Sequence, residues 1–149
     1  MNIKQLRLVI RLAEEQRDAA TAQLASGKAQ WQAAQDQLEQ LQRYQGQYVV
    51  QAKQEAQRGI SVQALFEGRR FIAELDDLIM KQQQNVEQQA SVLQSLTEQW
   101  MDAARYVQAL EQLETLQVAK GQREQDRRDQ QFADDQYAIR NFSPDYSTA

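Results

Sequence analysis

Downstream of Ser61 the positions Leu65, Ile72, Ile79, Val86, Leu93, Trp100 and Val107 recur every seven residues without a miss. A seven-residue apolar repeat keeps one stripe of a slightly underwound helix facing a partner helix, so this is the a series of a coiled coil. The matching d series, Gly68, Leu75, Gln82, Gln89, Leu96, Ala103 and Leu110, is weaker. Its polar members lower stability and favour one register. Upstream the same pattern is looser: Leu24, Trp31, Leu38 and Gln45 take a positions, and Gly27, Ala34, Leu41 and Tyr48 take d positions.

From about Ile3 to Gln57 nothing interrupts a helix except Gly27 and Gly46, each costing about 1 kcal/mol against alanine. Arg58-Gly59-Ile60-Ser61 then combines a glycine stop with a serine able to accept the orphan amide hydrogen bonds of a new helix. A tight link between two heptad-bearing helices forces them antiparallel, with Tyr48 expected near the mid-seventies and Leu24 near the mid-nineties of the returning helix. The pattern therefore predicts an all-α chain in one domain, residues 1–149: two long helices in an antiparallel coiled-coil hairpin. The helices span about 3–57 and about 62–135, with the turn at 58–61 and a flexible tail at 141–149. At 1.5 Å per residue they are roughly 80 Å and roughly 110 Å long, so the second overhangs the first. The overhang, roughly Lys120 to Asp135, is crowded with Arg123, Glu124, Asp126, Arg127, Arg128 and Asp129, and its helicity is expected to depend on a bound partner.

Composition agrees with continuous helix: glutamine makes up about a fifth of the chain, beside five glycines and one proline. Glutamine tracts such as Gln82-Gln83-Gln84 lie inside the regular apolar repeat, which favours solvated helix over disorder. No cysteine and no histidine are present. Disulfides, thiolate metal sites and the usual general base are thereby excluded. The formal charge of -4 and pI near 4.9 argue against nucleic acid and against an anionic membrane surface. No apolar run approaches the roughly 18 to 20 residues that span a bilayer, which predicts a soluble, intracellular protein.

The pairs Glu14-Glu15 and Asp134-Asp135 resemble acid/base or metal sites, but sequence neighbours diverge by about 100° on a helix and form no pocket. No phosphate loop, nucleophile elbow or metal-spaced cluster occurs. The chain is expected to be no enzyme and to take no cofactor, metal or small-molecule ligand. Trp31 and Trp100, both at a positions, read as core, and the basic row Lys4, Arg7 and Arg11 reads as a solvated face.

The informative feature lies beside the turn. Gln37, Leu41, Tyr44 and Tyr48 are spaced by four, three and four residues and fall within an arc of roughly 60° on a helix. Phe71, Leu75, Leu78 and Gln82 repeat the spacing, so the two stripes should meet on one flank. Tyr44, Phe71 and Leu78 occupy g positions, which a two-helix seam normally leaves charged and solvated. Either these three form a contiguous exposed patch that binds another protein, or they broaden the core by packing across the hairpin.

Leu41-x-x-Tyr44-x-x-x-Tyr48, Gly59-Ile60-Ser61, Phe71-x-x-x-Leu75, Trp100 and the charged helix ending Gln131-Phe132-Ala133-Asp134 together resemble the flagellar export protein FliJ family over nearly the full length. The resemblance implies a non-enzymatic stalk of the bacterial flagellar type III export apparatus, similar to the rotor stalk of rotary ATP synthases. Its implied partners are the hexameric export ATPase, the membrane export gate protein and export chaperones. The implied gate-binding surface maps onto Gln37, Leu41, Tyr44, Tyr48, Phe71, Leu75, Leu78 and Gln82. The overhang, with Asp126, Asp129, Asp134 and Asp135, is less basic than the family pattern. Two other readings share the physics: a stalk of a virulence type III secretion system, and a self-associating scaffold in which the apolar g residues pair with a second copy.

Overall fold

The computed structural model describes residues 1–142. Of the tail expected at 141–149, Asn141 and Phe142 belong to the second helix and residues 143–149 lie outside the described residues. Two helices, α1 (Ile3–Arg58) and α2 (Val62–Phe142), make up the described chain. This is the all-α antiparallel hairpin that the heptads predict. Among the described residues no helix is long and apolar enough to cross a membrane.

The ends of the helices follow from local chemistry. Asn2 Oδ1 accepts from the Gln5 amide at 2.8 Å while Gln5 Oε1 accepts from the Asn2 amide at 3.1 Å, a reciprocal capping box at the start of α1. At the other end Gly59 takes φ = 92°, a left-handed conformation closed to most side chains, and its amide bonds the Ala56 carbonyl at 3.2 Å. Ser61 Oγ then accepts from the Ala64 amide at 3.1 Å and caps α2.

The chain divides into two compact units, one of Met1–Glu15 with Ala104–Ala149 and one of Gln16–Ala103. In the first unit, the start of α1 pairs with α2 through Leu6, Ile10, Ala13, Val107 and Leu110, all buried. Arg7 reaches Glu114 at 3.5 Å across the pair, and the Gln117 amide donates to the Met1 carbonyl at 3.1 Å. Past Lys120 every described residue of α2 is exposed, because no segment of α1 remains to lie against it.

The helix runs past Asp135, where its end was expected, to Phe142. Gln122 donates to Asp126, Gln125 to Asp129 and Gln130 to Asp134, each one turn ahead, and Glu124 pairs with Arg128. Such i,i+4 contacts contribute about 0.2–0.5 kcal/mol apiece and add along the segment. No glycine or proline lies between Gly121 and Phe142 to interrupt the helix.

In the second unit the a and d positions form the seam. Leu24, Trp31, Leu38, Gln45, Ala34, Leu41 and Tyr48 of α1 are buried or half-buried, and so are the a and d residues of α2 from Gly68 to Ala103. Trp100 is a seam residue, and its Nε1–H donates to Thr21 Oγ1 at 2.9 Å. Tyr48 meets Phe71, about one turn nearer the hairpin tip than the mid-seventies expected.

Gly27 is buried against α2, where a Cβ would stand 2.6 Å from Leu96 Cδ1. Gly46, by contrast, faces open space. Replacing Gly46 by alanine should therefore raise stability by about 0.5–1 kcal/mol, whereas Gly27→Val should lower it by about 1–3 kcal/mol through overpacking against Leu96. Urea denaturation midpoints of the two variants check this, and a stabilised Gly27→Val would show that the close approach is not tight.

Candidate docking flank beside the turn

All eight residues singled out in the sequence lie in the second unit, and the helix pairing brings their two stripes together. At one end Gln82 Nε2 donates to the Ala34 carbonyl at 2.8 Å and to Gln37 Oε1 at 3.3 Å. At the other end the Tyr48 and Phe71 rings lie 4.7 Å apart, tilted by 57°. Tyr44 meets the same Phe71 edge-on, with centroids 6.4 Å apart and an interplanar angle of 82°. Edge-to-face and tilted pairs place a positive ring edge on a negative ring face, adding about 0.5–1.5 kcal/mol to simple burial.

The eight residues play different parts. Leu75 is core, at 4% exposure. Leu41, Tyr48, Phe71 and Gln82 are half-buried, and Gln37 is exposed. Tyr44 and Leu78 remain half open to solvent, at 51% and 50%. Phe71 thus broadens the core between two tyrosines, and the apolar surface left over at g positions is carried by Tyr44 and Leu78.

Two features of this region had no sequence expectation. Gln45, at a seam position, reaches across to the Asp76 carboxylate and to the Ile72 carbonyl, so one hydrogen-bonded glutamine lies level with the aromatic cluster and a second, Gln82, lies farther from the turn. The sequence signal was a polar a residue opposite an acidic residue one position outside the seam. Nearer the tip, Ala52, Ala56, Ala64 and Gly68 are too small to fill the space between the helices, which leaves a cleft of about 350 Å3 floored by Ile72 and Leu65. The Tyr48 hydroxyl lies over Gly68, 3.7 Å from where a Cβ would stand. A run of alanines at seam and near-seam positions on both helices was the signal there.

Burial sets the expected order of truncation costs. Leu75→Ala should cost about 2–4 kcal/mol as a cavity mutation, while Leu78→Ala, on an open surface, should cost less than about 1 kcal/mol. Chemical denaturation of the two variants gives the difference directly. Equal costs would mean that Leu78 is part of the core.

Neither the comparison with curated proteins nor that with solved structures finds a match. The comparison with family models matches the description "Flagellar FliJ protein" over residues 2–144. With nearly the whole chain covered by that match, this protein belongs to the flagellar FliJ family and is associated with flagellar protein export.

Proposed function

We propose that the chain is a non-enzymatic coiled-coil component of the flagellar type III export apparatus that binds the hexameric export ATPase and the membrane export gate and assists export chaperones. It works in the cytoplasm, held peripherally at the inner membrane at the flagellar base. The observation that carries the gate contact is the open half of Tyr44 and Leu78 at positions where a two-helix seam has no use for apolar groups. Phe71 and Leu75 beneath them form a rigid base, so a partner side chain meets a preorganised surface and little ordering entropy is lost on docking.

The overhang supplies a second contact region of different character. Its Phe132, Ile139 and Phe142 are exposed on a helix with nothing packed on it, amid alternating charges. This end is assigned to the ATPase. One chain holding both partners then couples nucleotide state in the ATPase to the gate, since binding at each site constrains the same helices.

Tyr44 and Leu78 are the residues to test, because both are half open to solvent and their removal leaves Leu75 and Ile79 buried in the seam. Alanine at both should weaken binding of the purified gate cytoplasmic portion about tenfold or more, as expected for central interface residues. ATPase binding should be unchanged, and stability should fall by no more than about 1–2 kcal/mol, from the lost Tyr44–Phe71 pair and the Leu78 contacts. If gate and ATPase binding fell together with the fold intact, the separation of the two contacts would be wrong.

A further inference from the structure

In the first unit the two sides of the helix pair are unlike. The heptads, carried on from Val107 and Leu110 and back to Ile3 and Leu6, put Asn2, Gln5, Val9 and Leu12 at g and c positions of α1. Tyr106, Ala109, Leu113 and Leu116 take those of α2. Antiparallel pairing sets the g columns on one side, and none of these residues is charged. The e and b positions of the other side hold Lys4, Arg7, Arg11, Glu14 and Glu111. Tyr106, Leu113 and Leu116 are exposed, the last at 63%, and so is Leu12. On α2 the same stripe runs on into the overhang and changes character, as Lys120, Arg123 and Arg127 continue its spacing of four, three and four. None of the three forms an ion pair with a described residue. The nearest acids along the helix are engaged elsewhere: Glu124 pairs with Arg128, and Asp126 accepts from Gln122.

We infer that the stripe from Tyr106 to Arg127 seats a protein segment that is apolar over one part and acidic over the next. Its apolar residues lie over Tyr106 to Leu116, and its carboxylates over Lys120, Arg123 and Arg127. At 1.5 Å per residue the stripe is about 32 Å long. It is separate from the flank beside the turn. It is separate also from Phe132, Ile139 and Phe142, which take e and a positions on the nearly opposite face of α2. The inference therefore depends on neither of the contacts proposed above.

The charges select this occupant. Lys120, Arg123 and Arg127 stand three and four residues apart, where like charges repel one another on a helix, and no internal ion pair relieves them. Carboxylates laid along the column relieve that repulsion, whereas a charge laid over the apolar part would be desolvated without a counterion. An anionic bilayer fits less well. Lys120 to Arg140 holds five basic and five acidic residues, with Glu124 and Asp126 at d and f positions on either side of the basic column. A broad surface meets all of them and gains no net attraction, while a narrow segment meets the column alone. A second copy of this chain fits no better. Parallel pairing of two such stripes sets basic residues on basic residues, and antiparallel pairing lays Arg123 and Arg127 over Tyr106 and Ala109 with no counterion.

Two synthetic helical peptides of about 21 residues, long enough to cover the stripe, probe the full-length chain. One carries leucine on its inner face over one half and glutamate over the other; its twin carries lysine in place of glutamate. Fluorescence anisotropy should show the wild type binding the glutamate peptide about tenfold or more tighter than the lysine peptide. Arg123→Glu/Arg127→Glu should reverse that preference. Arg128→Glu/Arg140→Glu, with the same change of net charge off the stripe, should stay within about threefold of wild type. Leu113→Ser/Leu116→Ser should weaken the glutamate peptide about tenfold, with helicity retained in every variant by circular dichroism. Equal loss in the two arginine variants would reduce the effect to net charge, and unchanged binding by the leucine variant would reduce it to ionic adhesion. Either result, or no binding of the glutamate peptide, overturns the inference. Co-sedimentation with phosphatidylserine vesicles, without peptide binding, would identify a bilayer as the occupant. A wild-type dimer in light scattering, dispersed by Leu113→Ser/Leu116→Ser, would identify a second copy.

Discussion

The antiparallel seam of a and d residues is the interaction on which the rest depends. A two-helix pairing buries two positions in seven on each chain and has no further layer in which to hide apolar groups. Any other large apolar side chain must be shared across the seam edge, as Phe71 is between Tyr44 and Tyr48, or be left in solvent, as Tyr44 and Leu78 largely are. Exposure at those positions therefore carries more information than it would in a globular domain, where over half the surface is apolar anyway.

The seam also explains why polar residues sit inside it. Gln45 and Gln82 replace apolar residues at a and d positions and bond to backbone carbonyls of the opposite helix, at Ile72 and Ala34. Each such bond exists in one register only, because a shift of one heptad would carry the amide away from its carbonyl and leave it half-buried and unpaired. Gln45 level with the aromatic cluster and Gln82 farther from the turn exchange some hydrophobic stabilisation for a fixed alignment of Tyr44, Tyr48 and Phe71. The short link through Gly59 and Ser61 sets the direction of pairing, and the glutamines set its phase.

The heptads, the glycine stop and the capping serine were legible in the sequence because each is a local signal with one physical meaning. So was the meeting of the two stripes, since helical periodicity and a tight turn together leave one alignment available. The split of the eight residues into core and surface was not legible. Phe71 and Leu78 occupy equivalent g positions, yet Phe71 is covered because Tyr44 and Tyr48 close around it, a tertiary fact that spacing does not contain. The end of the second helix was not legible either: it was expected about Asp135, whereas the helix runs on to Phe142, with Gln-to-Asp contacts one turn apart along it.

These two kinds of exposed helix suit different partnerships. The overhang carries its own ladder of side-chain contacts, and its mixed charges suit a wet, polar contact that exchanges readily. The flank beside the turn has the opposite character. It is uncharged, partly apolar and backed by packed rings, so it contributes through burial and through the absence of reorganisation, and its affinity is set by how fast a partner leaves. Under the proposed function, a stalk that holds one partner while another changes state needs this combination of a slow contact and a fast one. Here the division arises from which heptad positions carry charge and which do not.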